Sequence, residues 1–331
     1  MAREAAEAAA GARRQIDVCG ERFEQLAHRL RASPPTVIVT CARGSSDHAA
    51  TYGKYLLETT VGRVVASVGP SIASTYRRIP VLEGALFIAV SQSGRSPDLL
   101  ALTAAARAGG ALVVGMVNDD TSPLAARCDL VLPLCAGEER AVAATKSFLL
   151  TGIAFLQLAA AWTNDAELRA AVEASPAALA AAAALDWSSA LSGLATASSL
   201  YVIGRGVGLG AAYEIALKLK ETCRLHAEAF SAAEVLHGPV ALVGPGFPVL
   251  ALAQDDETLV GTRDAIAQLA QLGATVRSTL DGSLPTVPGI PAVLAPLCQV
   301  QSFDLAVPQL AAARGLDPDA PPHLRKVTET V

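Results

Sequence analysis

The sequence has no CxxC pair, no run of lysines and arginines, and no apolar core near its start of the kind a secretory signal carries. Each absence removes a class of protein. The six cysteines, at positions 19, 41, 128, 135, 223 and 298, are scattered, so no zinc-site spacing is present. Scattered cysteines in a chain of this size fit a reducing compartment, and a cytoplasmic protein is expected. Charged residues are only 17% of the chain and the formal net charge is −5. A mildly acidic chain without basic runs is poorly suited to nucleic acid, and no such partner is expected. The opening MAREAAEAAAGARR carries acidic residues and is not a signal peptide. The most membrane-like segment, Ser147 to Trp162, is short for a span and contains Ser, Thr, Gly and Gln. It reads as a buried helix, and no membrane association is expected.

What is present is enough apolar material for two domains: 331 residues, 52% of them hydrophobic. An internal repeat organises them at an offset of 162 residues. Ala42-Arg43-Gly44 after one apolar run matches Gly204-Arg205-Gly206 after another, Gln92 falls on Gln254, Val114 on Val276 and Asp119 on Asp281. Each copy reads strand, turn, helix, then strand, turn, helix, strand, which predicts α/β modules with parallel sheets. The alanine-rich VEASPAALAAAAALDW between the copies reads as a connecting helix.

The stretch SQSGRSPDLL, Ser91 to Leu100, stands where a strand becomes a helix. Ligands of parallel sheets bind outside the carboxyl ends of the strands, and a helix start offers free N–H groups and a favourable dipole to an anion. Ser91, Gln92, Ser93 and Ser96 therefore read as donors in a phosphate cradle, with plain helix capping as the alternative. Ser46, in GSSDHAA, is a second serine at a helix start, open to the same two readings. The matching turn of the second copy carries Asp255 and Asp256. These would repel a phosphate, so only the first copy is expected to bind one. In AAYEIALKLKET, Glu214, Lys218 and Glu221 fall at i, i+4 and i+7, on one helix face. The spacing fits either a solvated, ion-paired helix with Ala216, Leu217 and Leu219 packed inward, or a carboxylate placed for proton transfer. Glu234 and His237 have an ExxH spacing, but it occurs once, where a di-metal bundle needs it twice and further glutamates. No metal is expected. His226 reads as structural.

Taken in order, CARGSS, SQSGRSPD, AVAATKSF, YEIALKLKET, HAEAFSAAEVLHGP and PPHLRKVTET resemble the double-SIS (sugar isomerase) family. The likeness is greatest to the isomerase half of glucosamine-6-phosphate synthase and the stand-alone glucosamine-6-phosphate deaminases built on it. The resemblance implies two tandem SIS domains, each a parallel sheet flanked by helices in a flavodoxin-like three-layer sandwich, with a C-terminal tail over the active site. It divides the chain into a first SIS domain over 1–165 with an N-terminal helix, a connecting helix over 166–192, a second SIS domain over 193–315, and a catalytic tail over 316–331. It implies that Ser46, Ser91, Gln92, Ser93 and Ser96 hold a sugar phosphate. A sugar contact is implied at the backbone of Val142, where the family's VAS segment reads Val142-Ala143-Ala144 and lacks the serine.

The resemblance further implies that Glu221 moves the proton between C1 and C2, with Lys218 and Glu214 nearby. His237 opens the sugar ring and reaches the active site of a neighbouring subunit in a homodimer. Lys326 partners the C2 carbonyl, with Arg325 beside it. No metal or organic cofactor is implied. The chain begins Met1-Ala2-Arg3 and passes directly into the first SIS domain. With no glutaminase segment, the expected reaction is conversion of glucosamine 6-phosphate and water to fructose 6-phosphate and ammonia. A deglycase of a phosphorylated fructosamine, an ammonia-dependent synthesis of glucosamine 6-phosphate and a non-catalytic phosphosugar sensor remain as alternatives.

Overall fold

Short apolar runs rich in Val, Ile and Leu form strands at the expected places, and their pairings in both sheets are parallel. The computed structural model describes residues 1–326. In chain order the elements begin with α1 (Ala2–Ala6), α2 (Ala8–Ala32), β1 (Ile38–Cys41), α3 (Ser45–Thr60) and β2 (Val65–Ser67). They continue with α4 (Ser71–Ser74), β3 (Leu86–Ser91), α5 (Pro97–Ala108), β4 (Leu112–Val117), β5 (Leu130–Pro133) and α6 (Lys146–Thr163). The second half holds α7 (Ala166–Ala183), α8 (Ser188–Ser192), β6 (Ser199–Gly204), α9 (Gly208–Cys223) and β7 (His226–Ser231). It closes with β8 (Pro248–Ala251), α10 (Leu259–Gln271), β9 (Thr275–Ser278) and α11 (Ala295–Ala313). The final VTETV of the tail motif lies outside the described residues.

Two compact units result. One, the N-sheet unit, comprises Ala10–Glu139, Lys146–Glu173 and, among the described residues, the chain from Leu324 to Lys326. The other, the C-sheet unit, comprises Met1–Ala9, Arg140–Thr145 and Ala174–His323. Neither is a single stretch of sequence.

The N-sheet unit is built on a five-stranded sheet in the order β2-β1-β3-β4-β5. Val39, Cys41, Phe87, Ala89, Val113 and Val117 turn one face to Leu99, Leu102 and Ala106 of α5. The other face meets α3, which packs in turn on α6. With both faces covered, the central strands are buried along their whole length, as parallel sheets require. The helix α6 is long and apolar enough to cross a membrane, but 94% of it is buried inside the protein, as its Ser, Thr, Gly and Gln content suggests.

The C-sheet unit repeats the winding with four strands, β7-β6-β8-β9. Its core gathers Tyr201, Ile203, Val249 and Ala251 from the sheet with Ala265 and Leu269 of α10. The first residues of α5 and α10, Pro97 and Leu259, keep the 162-residue offset of the repeat, as do those of β3 and β8, Leu86 and Pro248. The alanine-rich connection forms two helices, α7 and α8, where one was expected. The break falls at Trp187, whose buried indole N–H donates to the Pro285 carbonyl at 2.8 Å.

Candidate functional site

In the N-sheet unit, β1 and β3 are neighbours, and both end in serine-bearing turns. After β1 the chain passes through Gly44, whose φ of +53° is a conformation side-chain-bearing residues seldom adopt, and enters α3 at Ser45. Gly44 holds the cap position, and Ser46 sits in the first turn, so Ser46 is not a capping residue.

After β3 the loop Gln92–Ser96 is braced from within. The Gly94 N–H donates to Ser91 Oγ at 3.0 Å, and the Arg95 N–H to Ser93 Oγ at 3.4 Å. Gly94 has φ +62°, and a Cβ there would stand 2.2 Å from Ser122 Oγ, so no other residue fits. Ser96 takes the extended cap position before Pro97, yet its hydroxyl makes no capping hydrogen bond. The plain capping reading of Ser46 and Ser96 is therefore not realised.

A pair the sequence reading passed over ties the two turns together. Arg43 donates to one oxygen of Asp98 through Nε at 3.0 Å and Nη2 at 2.8 Å. Asp98 is 1% exposed while Arg43 stays half open to solvent. Both residues lie inside the quoted motifs CARGSS and SQSGRSPD, and that coincidence was the available signal.

Lys326 belongs to the same unit. Its Nζ lies 3.0 Å from Oε2 of Glu139, which is fully buried. Glu139 also accepts from the Ser147 N–H at 3.1 Å and the Ser147 hydroxyl at 2.7 Å, at the start of α6. Lys326 is thus a held side chain. Glu139 lies in no motif, and nothing in the sequence flagged it.

In the C-sheet unit, α9 departs from expectation. Its charged face is the buried one. Lys218 has no exposed surface, and its ammonium lies 3.1 Å from Glu214 Oε1 and 2.6 Å from Glu221 Oε2. Burial alone would push the Lys218 amine down. Glu214, Glu221 and the buried Asp304 of α11 outweigh it and hold the group above the ordinary lysine range. Glu214 is also fully buried, while the Glu221 side chain is 18% exposed. Glu214 has no exposed surface in this structure, and Lys218 is enclosed between it and Glu221. Of the three, Glu221 alone reaches solvent. Ala216 and Leu219 are buried, but Leu217 is only partly so.

Val142 is partly buried in the segment 140–145. That segment is fixed by Glu4 of α1, whose carboxylate accepts from the Arg140 N–H at 2.6 Å and the Ala141 N–H at 3.1 Å. His237 is exposed, on the turn before Gly238. His226, read as structural, is exposed at the start of the edge strand β7.

The second copy of the loop is closed by its own carboxylate. Asp256 accepts from the Thr258 N–H at 2.8 Å and from Gln254 Nε2 at 2.9 Å, and Gln254 also donates to the Arg205 carbonyl at 2.8 Å. Among the described residues, no group of three or more His, Cys, Asp and Glu is arranged to hold a metal ion.

Two wound modules of one plan, with serine-bearing turns at strand ends in the first and a lysine-clamped carboxylate in the second, define a class of two-module α/β proteins with parallel sheets. Residues 34–161 and 193–280 match the SIS domain, and the chain belongs to the SIS-domain family. It is 37% identical over 309 residues to the glutamine–fructose-6-phosphate aminotransferase (isomerizing) of Aeropyrum pernix, covering 86% of this chain and 49% of that protein. The corresponding enzyme of Legionella pneumophila (strain Philadelphia 1) is 35% identical over 332 residues, covering 94% of this chain and 54% of that protein. The chain thus spans about half the length of these relatives. A protein from Silicibacter pomeroyi DSS-3, provisionally described as a phosphosugar isomerase, superposes with a TM-score of 0.91 at 42% identity, over 96% of this chain and 99% of its own. The glucosamine-6-phosphate deaminase of Thermotoga maritima shares the fold, with a TM-score of 0.75 at 22% identity, covering 98% of this chain and 100% of its own.

Proposed function

We propose that the protein is a phosphosugar isomerase that acts on glucosamine 6-phosphate, releasing fructose 6-phosphate and ammonia. The observation that carries the reading is the Lys218 clamp. A fully buried ammonium is costly to desolvate, and here it fixes a single carboxylate, Glu221, at the surface. That is what a 1,2-proton transfer needs: one base of fixed position that takes a proton from C2 and returns it to C1. The names of the relatives support the substrate class, since they couple fructose 6-phosphate to nitrogen or are phosphosugar isomerases.

In this reading the Ser91–Ser96 loop and Ser46 donate to the phosphate, with the loop preset by Gly94 and the Arg43–Asp98 pair. Val142 contributes its backbone to the sugar. His237, which its own chain leaves exposed, assists ring opening, serving the partner subunit of a homodimer. Glu221 carries the proton from C2 to C1 and leaves an imine at C2. Water adds there and ammonia departs. Lys326, paired with Glu139, is a hydrogen-bond donor to the C2 substituent in this arrangement. Attack by its amine would require that ion pair to open first.

Incubation of the purified protein with glucosamine 6-phosphate should produce ammonia and fructose 6-phosphate in equal amounts. Phosphate-ester binding without either product would sink the reading in favour of a sensor. Product from a phosphorylated fructosamine alone would favour a deglycase. The ammonia-dependent synthesis is the same path reversed, and appears as glucosamine 6-phosphate formed from fructose 6-phosphate and ammonium.

A further inference from the structure

We propose that Cys19 and Cys135 are a peroxide-reactive dithiol that closes to an intramolecular disulfide, fastening helix α2 to the loop leading to Glu139. The two sulfurs lie 3.6 Å apart, although 116 residues separate them in sequence. Cys19 is fully buried on α2, and Cys135 is partly exposed just after β5. The nucleophile thus faces solvent, and the resolving thiol stands behind it.

The loop is built to hold this arrangement. Cys135 takes a left-handed φ of +55°, uncommon for a residue with a side chain. Arg14, also on α2, donates through Nε to the Cys135 carbonyl at 2.9 Å. Asn118 accepts from the Ala136 N–H at 2.8 Å and donates to the Gly137 carbonyl at 2.8 Å. Bridging requires the sulfurs to approach by about 1.5 Å, to the ordinary disulfide length.

The six thiols differ in reactivity. The hydrogen bond with Cys19 pulls the Cys135 thiol down to about 7, assisted by the charges of Arg14 and Arg22. The same hydrogen bond pushes Cys19 up. Burial pushes Cys41, Cys128, Cys223 and Cys298 up. The thiolate is the reactive form, so Cys135 is the first to meet an oxidant.

The chemistry balances. The Cys135 thiolate attacks one oxygen of a peroxide, the O–O bond breaks, and the departing hydroxide takes a proton to become water. Cys19 sulfur then attacks the sulfenic sulfur of Cys135. An S–S bond forms, and the hydroxyl leaves as a second water with the Cys19 proton. Two thiols lose two electrons in all, and a dithiol reductant restores them. Glu139 lies four residues beyond Cys135 and holds Lys326 and Ser147, so closure acts on a segment that anchors both.

The test reads sulfur and is independent of turnover. The native protein is treated with hydrogen peroxide, alkylated with iodoacetamide and digested without reductant. A single linked peptide pair joining Cys19 to Cys135, with the other four cysteines alkylated, is expected. In C19S, dimedone should trap a sulfenic acid at Cys135. Alkylation of Cys135 should have its pH midpoint near 7 in the folded protein and near 8.5 in the denatured chain. Six alkylated cysteines after peroxide, or a disulfide joining any other pair, would overturn the proposal.

Discussion

At the residue scale, the cluster on α9 is where stability and chemistry meet. Replacing Lys218 by methionine keeps its bulk but leaves Glu214 and Asp304 buried without their cation. A loss of about 3–5 kcal/mol is expected, the range for breaking a buried ion pair, measurable by denaturant unfolding. The pH dependence has a definite sign. Because the folded value of Lys218 stands above the unfolded one of about 10.4, its contribution is complete below that pH and is lost as pH rises through the folded value. Wild type should lose stability on that alkaline limb, and K218M should lack that component. The acid itself behaves differently. Glu221→Gln should leave substrate binding within about twofold while lowering kcat by 10²-fold or more, the usual scale of general acid–base catalysis. Ser96→Ala should weaken substrate binding by about 1.5–3 kcal/mol, the range for a hydrogen bond to a charged group, with the helix intact because Ser96 does not cap it.

At the element scale, the contact between α3 and α6 depends on Gly53. A Cβ at that position would stand 2.4 Å from the ring of Phe155, which is fully buried. Gly53→Ala gains about 1 kcal/mol of helix propensity but should lose about 3 kcal/mol to overpacking, lowering the melting temperature. The elements differ in how openly the sequence declared them. The helix α5 was legible because Ser96-Pro97 marks its start and alanines and leucines fill its body. The strand β3 was legible because both faces are covered, so the run Leu86 to Val90 is wholly apolar. The strands β2 and β7 were missed for physical reasons. The three residues of β2 include one that is exposed. The strand β7 lies at a sheet edge, so HAEAFS carries exposed His226 and Glu228 and reads as a polar motif. The charged face of α9 misled in the opposite direction. Spacing cannot tell a solvated ion pair from a buried one, and α9 is packed against α11, whose Asp304 lies 83 positions further on from Glu221.

At the scale of the whole molecule, the 162-residue repeat was the strongest signal in the sequence. It anticipated two modules of one winding, and the acidic turn of the second predicts that only the first binds a phosphate. Binding should accordingly saturate at one sugar phosphate per chain in isothermal titration. At a ligand concentration of about 100 Kd it should raise the unfolding free energy by about 2.7 kcal/mol. What the repeat could not reveal was the supporting cast of Glu4, Glu139 and Asp304. These carboxylates meet their partners only after folding, across separations that no local pattern encodes.

The carboxylate of Asp256 has a further consequence for motion. It fastens the turn of the second module with hydrogen bonds from within the chain, so the rigidity of that turn is independent of what is dissolved around it. Deuterium uptake at amides 254–262 should then be indifferent to added sugar phosphate. Protection gained on adding it should gather at amides 92–100.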